Sequence, residues 1–244
     1  CGVCDSNMYN DCEQDCLGNW GGDLIYDACG VCGGDNNNCV LDIDGNGYTT
    51  VILGDQEWLA ENLKVTRYNN GDEIPTDISD LQWGDINYGA YGVYNDDLTN
   101  TDIWGNLYNW YVVDDSRGVC PEGWHVPTDE EFMQLEIFLG MSYEEASEYG
   151  YRGTNEGSKL AGFEELWSYG DILNDWGFNT SNFDAKPAGA RDGINGMWTA
   201  SGYFAEFWTS TAVIYRDLNN NSTKVYRSGR LATCGHQIRC VKNK

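Results

Sequence analysis

The sequence predicts an α+β body of short irregular strands with two helices over residues 41–244, preceded by a small disulfide-rich, loop-rich module over residues 1–40. Three observations lead there. Seven of the ten cysteines fall within the first 39 residues: Cys1, Cys4, Cys12, Cys16, Cys29, Cys32 and Cys39. Beyond Val40 the apolar runs are short and are broken by Gly, Asn and Asp, the pattern of many short strands. One helix carries strong start and stop signals near residue 130. A length of 244 residues suits one domain of about 200 residues with a small module attached.

The head is poor in large aliphatic residues, so it needs covalent staples or metal to hold a shape. Its cysteine density predicts disulfides and an extracellular or cell-surface location, because a reducing cytosol keeps thiols free. Cys1-Gly2-Val3-Cys4 recurs as Cys29-Gly30-Val31-Cys32, an offset of 28 residues, and reads as an internal repeat. The first copy opens at Cys1, which leads us to expect further repeats upstream in the gene product. Zinc and redox uses of the Cys-x-x-Cys pairs are the alternatives. Zinc asks for four convergent thiolates, and redox chemistry asks for a strand–helix context that the head lacks. Asp23, Asp27, Asp35 and Asn36 are candidate calcium ligands. Turn chemistry competes for the same side chains, since Asp and Asn bond their own backbone.

In the body, Asp42, Asp44, Asn46 and Gly47 fit the start of a calcium loop, but Leu53 stands where its bidentate Glu belongs. A hairpin around Gly45-Asn46-Gly47 explains these residues better. Thr128-Asp129-Glu130-Glu131 is a capping box; Phe132, Leu135, Phe138 and Leu139 form the apolar stripe, and Gly140 stops the helix. Ser142-Tyr143-Glu144-Glu145 starts a second, shorter helix running to Tyr149.

The net charge of −25 repels nucleic acid and anionic membrane surfaces, so neither is expected as a partner. No stretch is apolar enough for a membrane span.

Several segments carry a family resemblance. They are Gly54-Asp55-Gln56-Glu57-Trp58-Leu59-Ala60-Glu61-Asn62-Leu63, Trp104-Gly105-Asn106-Leu107-Tyr108-Asn109-Trp110-Tyr111 and Cys120-Pro121-Glu122-Gly123-Trp124-His125-Val126-Pro127-Thr128. Arg152-Gly153-Thr154-Asn155-Glu156-Gly157-Ser158-Lys159-Leu160, Phe207-Trp208-Thr209-Ser210-Thr211 and Ile238-Arg239-Cys240-Val241-Lys242 complete the set. Together they resemble the Fibrobacter succinogenes major paralogous domain, and residues 29–39 resemble CGVCGGDN-type cysteine-rich repeats. The resemblance implies a C-type-lectin-like fold akin to the formylglycine-generating enzymes, and no settled activity. It also implies that Cys120 and Cys240 are bridged. The head then holds an odd number of cysteines and Cys234 is left over. Parity predicts that Cys234 clamps the head to the body, with Cys39 the first partner and Cys12 or Cys16 next.

Catalytic signals are weak, and no catalytic residue is assigned. His125, between Trp124 and Val126, reads as a buried scaffold residue, and His236 stands 111 positions away, which builds no metal cluster. There is no Gly-x-Ser-x-Gly elbow, and Asp96-Asp97 and Asp114-Asp115 lie in polar, solvated stretches. Trp58, Trp110, Trp124 and Trp208 read as core; Trp83, Trp167, Trp176 and Trp198 read as loop anchors, with sugar-stacking as the alternative. The expected function is a non-enzymatic adhesion or surface-structure module, with itself (as a homopolymeric fibre) or surface polysaccharide as partner, and calcium as the sole candidate cofactor. The alternative is a carbohydrate-binding accessory domain of a secreted polysaccharide-degrading protein.

Overall fold

Three Asp-x-x-Gly stretches shape the N-terminal part: Asp15-Cys16-Leu17-Gly18, Asp27-Ala28-Cys29-Gly30 and Asp42-Ile43-Asp44-Gly45. The structure, a computed structural model, describes residues 13–36 and 39–244. In each stretch one Asp carboxylate oxygen accepts the backbone N–H groups two and four residues on: Leu17 and Asn19, Cys29 and Val31, Asp44 and Asn46. The fourth residue takes a left-handed φ of 82°, 73° and 82° respectively, which glycine adopts without a Cβ penalty. An antiparallel pairing closes each loop, Gln14 with Trp20, Tyr26 with Cys32 and Leu41 with Gly47. The first two loops repeat at 12 residues, a shorter unit than the 28-residue offset that the cysteine motif suggests. Cys1 and Cys4, on which that offset rests, lie outside the described residues.

Disulfides tie one loop to the next. Cys16 bridges Cys32 and Cys29 bridges Cys39, each with Cα atoms 5.5 Å apart. The third loop is the turn of the hairpin β1 (Val40–Leu41) and β2 (Gly47–Tyr48). There the Asp42 carboxylate also accepts the Tyr48 hydroxyl at 2.7 Å, and Tyr48 is buried in the body. The loop series therefore runs across residue 40 into the body.

The body is α+β. We label the strands of its two larger sheets β3 (Thr50–Leu53), β4 (Gln56–Leu59), β5 (Trp124–His125), β6 (Gly150–Arg152), β7 (Phe204–Trp208), β8 (Ile214–Asn219), β9 (Val225–Gly229) and β10 (Val241–Lys242). The longer helices are α1 (Asp129–Leu139), α2 (Tyr143–Ser147) and α3 (Glu156–Leu160). Of the two four-stranded antiparallel sheets, one has the order β3-β4-β10-β5 and the other β7-β8-β9-β6. A disulfide joins Cys120 to Cys240, across 120 residues, just outside β5 and β10.

Both capping boxes form, at Thr128 with Glu131 and at Ser142 with Glu145. The second helix stops at Ser147, two residues before the expected Tyr149, because Glu148 is already extended. The buried stripe of α1 is Phe132, Met133, Leu135 and Glu136. Phe138, expected on that stripe, is exposed and covers Gly54 in the β3–β4 turn. Glu136 takes the inward place because three arginines of the second sheet face it and its neighbour Asp129. Arg152 and Arg216 pair with Glu136 at 2.5 and 2.7 Å, and Arg216 and Arg227 pair with Asp129 at 2.7 and 2.5 Å. Buried charges persist only when paired in this way. Trp58, Phe132, Phe183 and Phe207 fill the apolar centre beside this network. Among the described residues no helix is long and apolar enough to cross a membrane.

Candidate functional site

Successive residues of a strand point to opposite faces, so the second sheet presents two different surfaces. One face carries Phe207, Arg216, Val225 and Arg152 toward α1. The other carries a row in cross-strand register: Glu206 opposite Asp217, Asp217 opposite Tyr226, and Tyr226 opposite Tyr151. The two acids are buried, whereas Tyr151 is half exposed, and the Tyr151 and Tyr226 rings lie 4.8 Å apart. The row thus runs from buried carboxyls to accessible aromatic rings.

His236 reaches the acidic end from the last segment of the chain. Its backbone is fixed by reciprocal hydrogen bonds with Tyr108, and the next residue, Gln237, donates its N–H to the Glu206 carbonyl. The imidazole stacks on Tyr215 at 5.2 Å and meets Trp208 edge-on at 4.4 Å. Its Nδ1 stands 3.2 Å from Glu206 Oε2, a charge contact outside hydrogen-bond alignment, and Nε2 has no partner. Arg230 approaches Glu206 at 3.5 Å. Beside these groups lies a cavity of about 160 Å³, lined among others by Arg191, Glu206, Arg230, Cys234 and His236.

Burial disfavours charge on all three ionisable groups, yet they respond differently. Glu206 and, after it, the Cys234 side chain outweigh burial and push His236 up to about 9. For Glu206, the His236 charge overcomes burial and lowers the carboxyl below its ordinary value. Asp217 is pushed up to about 8 by burial and then by the neighbouring Glu206. Near neutral pH the cluster therefore holds a carboxylate, an imidazolium and a neutral carboxylic acid. It offers acceptor and donor groups to a small polar ligand.

Of the residues singled out in the sequence, Cys234 and His236 line this cavity, and the others fall elsewhere. Cys29 and Cys39 are bridged to each other, as are Cys16 and Cys32, while Cys1, Cys4 and Cys12 lie outside the described residues. The expected clamp from Cys234 to Cys39 or Cys16 is corrected by these pairings. Among the described residues Cys234 has no disulfide partner; it is buried against Trp208 and Tyr215, at the end of a turn closed by its N–H to the Leu231 carbonyl. Its remaining candidate partner, Cys12, is outside the described residues.

Asp23 is exposed. Asp27 accepts the N–H groups of Cys29, Val31 and Asn36, and the Asn36 side chain accepts the Ala28 N–H. Asp35 is also engaged in an interaction. Among the described residues no group of three or more His, Cys, Asp or Glu side chains is placed to hold a metal ion.

His125 is half-buried rather than buried, held between Asn243 at 2.7 Å and Glu131 at 2.9 Å. Trp83 and Trp167 anchor loops through their indole N–H groups, donated to the carbonyls of Thr233 and Gly162, whereas Trp176 is exposed. The sequence reading missed Glu206, Asp217 and Arg230, and left His236 without a role. The available signal was alternation: Glu206 and Trp208, then Tyr215 and Asp217, put acids and aromatics on one face of adjoining strands.

The chain belongs to the Fibrobacter succinogenes major domain family, whose model matches residues 51–242. No curated protein and no solved structure matches it.

Proposed function

We propose that the chain is a non-enzymatic, extracellular module for adhesion or surface structure, with a C-type-lectin-like body, and that it assembles with further copies of itself as a surface fibre. The observation that carries this reading is the strapped series of Asp loops. Cys16–Cys32 and Cys29–Cys39 link loop to loop, and the third loop is rooted in the body through Asp42 and Tyr48. Short repeats that each contact their neighbours transmit position along a chain without a large core of their own. Closely spaced bridges are the usual support of such units outside the cell. Sedimentation velocity and negative-stain images over a range of protein concentrations test the reading. Concentration-dependent polymers of regular width are expected. A protein that stays monomeric at every concentration and on native cells would overturn the fibre.

A second reading is favoured by a different observation, the aromatic end of the sheet row at Tyr226 and Tyr151. Aromatic rings beside polar groups are a common platform for polar ligands with an apolar face, sugars included. On this reading the body binds surface polysaccharide as an accessory domain. Glycan-array binding that is lost in Tyr151→Ala supports it, and an array without signal removes it.

A further inference from the structure

Cys234 has no disulfide partner among the described residues, yet it does not sit in a closed apolar core. It lines the 160 Å³ cavity together with His236, Glu206 and Arg230. His236 is 1% exposed, and its Nε2 has no hydrogen-bond partner. A fully buried ring nitrogen left unpaired costs free energy, and it marks a place where a ligand atom would be stabilised. Asp217 Oδ1, one strand away, is likewise buried and unpaired. The cavity has a solvent side, since Thr199 and Arg230 on its lining are exposed. A cavity of similar volume accommodates a molecule the size of benzene. Its charged lining comprises Arg191, Arg230 and His236 against Asp192 and Glu206, so the pocket is locally cationic within a chain of net charge −25.

We propose that Cys234 is a thiol-exchange site, which accepts a small anionic thiol from a low-molecular-weight disulfide and holds it in the cavity beside His236. The step is an exchange. Sγ of Cys234 attacks one sulfur of the small disulfide, a new S–S bond forms, and the old one breaks. The departing thiolate takes the proton that Cys234 loses. No net oxidant beyond the disulfide is needed. The acid group of the bound half faces Arg230 and the unpaired Nε2 of His236. His236 acts here as a positioning residue: its charge, kept by Glu206 and by the Cys234 side chain beside it, orients the anion. The resulting mixed disulfide fills the cavity and supplies the partner that Nε2 lacks.

The site separates from an inert buried thiol by charge preference. The native protein is incubated at neutral pH with dithiodiglycolate, which is anionic, and with cystamine, which is cationic, and is followed by intact mass and peptide mapping. One adduct per chain at Cys234 is expected, at least tenfold faster with dithiodiglycolate, against the attraction that the whole acidic chain exerts on cystamine. Arg230→Gln changes a half-exposed rim residue that the fold tolerates, and it is expected to shrink the preference several-fold. Cys234→Ser abolishes the adduct. The preference should also fade as pH rises through the range where His236 loses its proton. The proposal is overturned if Cys234 reacts only after unfolding, if cystamine reacts as fast as the anion, or if Arg230→Gln leaves the preference unchanged.

Discussion

At the scale of single residues, the cluster around His236 makes stability depend on pH. In the folded chain His236 is raised from 6.5 to about 9 and Asp217 from 3.8 to about 8. Both bind protons more tightly folded than unfolded. Their stabilisation is complete below the unfolded values and is lost as pH rises through the folded ones. Glu206 is lowered and acts in the opposite sense, losing its contribution in acid. Arg230, Cys234 and Tyr215 are the other polar groups facing the ring. The melting temperature is therefore expected to fall by roughly 4–8 °C between about pH 7 and 9.5, on the order of 2 kcal/mol. Asp217→Asn keeps a neutral side chain and should flatten part of that slope; an unchanged slope would remove Asp217 from the account. Glu136 gives a second test. Glu136→Leu leaves Arg152 buried without a carboxylate and Arg216 with Asp129 alone, at a cost of about 3–5 kcal/mol, read as a lower denaturation midpoint. Neither cluster was legible as a site in the sequence. Glu136 lies within an apolar stripe and Glu206 between apolar strand residues, so pairing with side chains 80 and 30 residues away decides their roles.

Among elements, what was legible is what local chemistry decides. Both helix starts were visible because Thr128 with Glu131, and Ser142 with Glu145, satisfy backbone donors three residues away. The β1–β2 hairpin was visible through its glycines. The 12-residue loop repeat was hidden by the cysteines, whose spacing drew attention from the Asp and Gly that fix each turn. Asp42→Ala removes the acceptor of the Asp44 and Asn46 amides and of the Tyr48 hydroxyl. The expected cost is about 1–3 kcal/mol, with faster amide exchange confined to residues 40–48. Protection that stays uniform would show that the turn holds without its carboxylate. Calcium in the head is tested by limited proteolysis with and without a chelator. Chelation is expected to speed cleavage within residues 13–36, and equal cleavage in both conditions would leave calcium in these loops without support.

For the whole molecule, the long bridge closes the body on itself. Cys120–Cys240 restricts the unfolded chain over 120 residues, an entropic contribution of about 4–5 kcal/mol. Cys120→Ser with Cys240→Ser should lower the unfolding midpoint accordingly and leave the two head bridges intact. The motifs that carry the family resemblance were readable in the sequence because most pin the chain at strand ends, turns and caps. Parity pointed Cys234 to Cys39 or Cys16 because it counts thiols without knowing that these two pair within the head; Cys12 lies outside the described residues. The proposed extracellular module is held together by bridges within the head and within the body. Non-reducing peptide mapping of the protein exported by its native cell tests it most directly. The account predicts Cys16–Cys32, Cys29–Cys39 and Cys120–Cys240, with Cys234 in none of them. Free thiols at these six positions, or a bridge from Cys234 into the head, would contradict it.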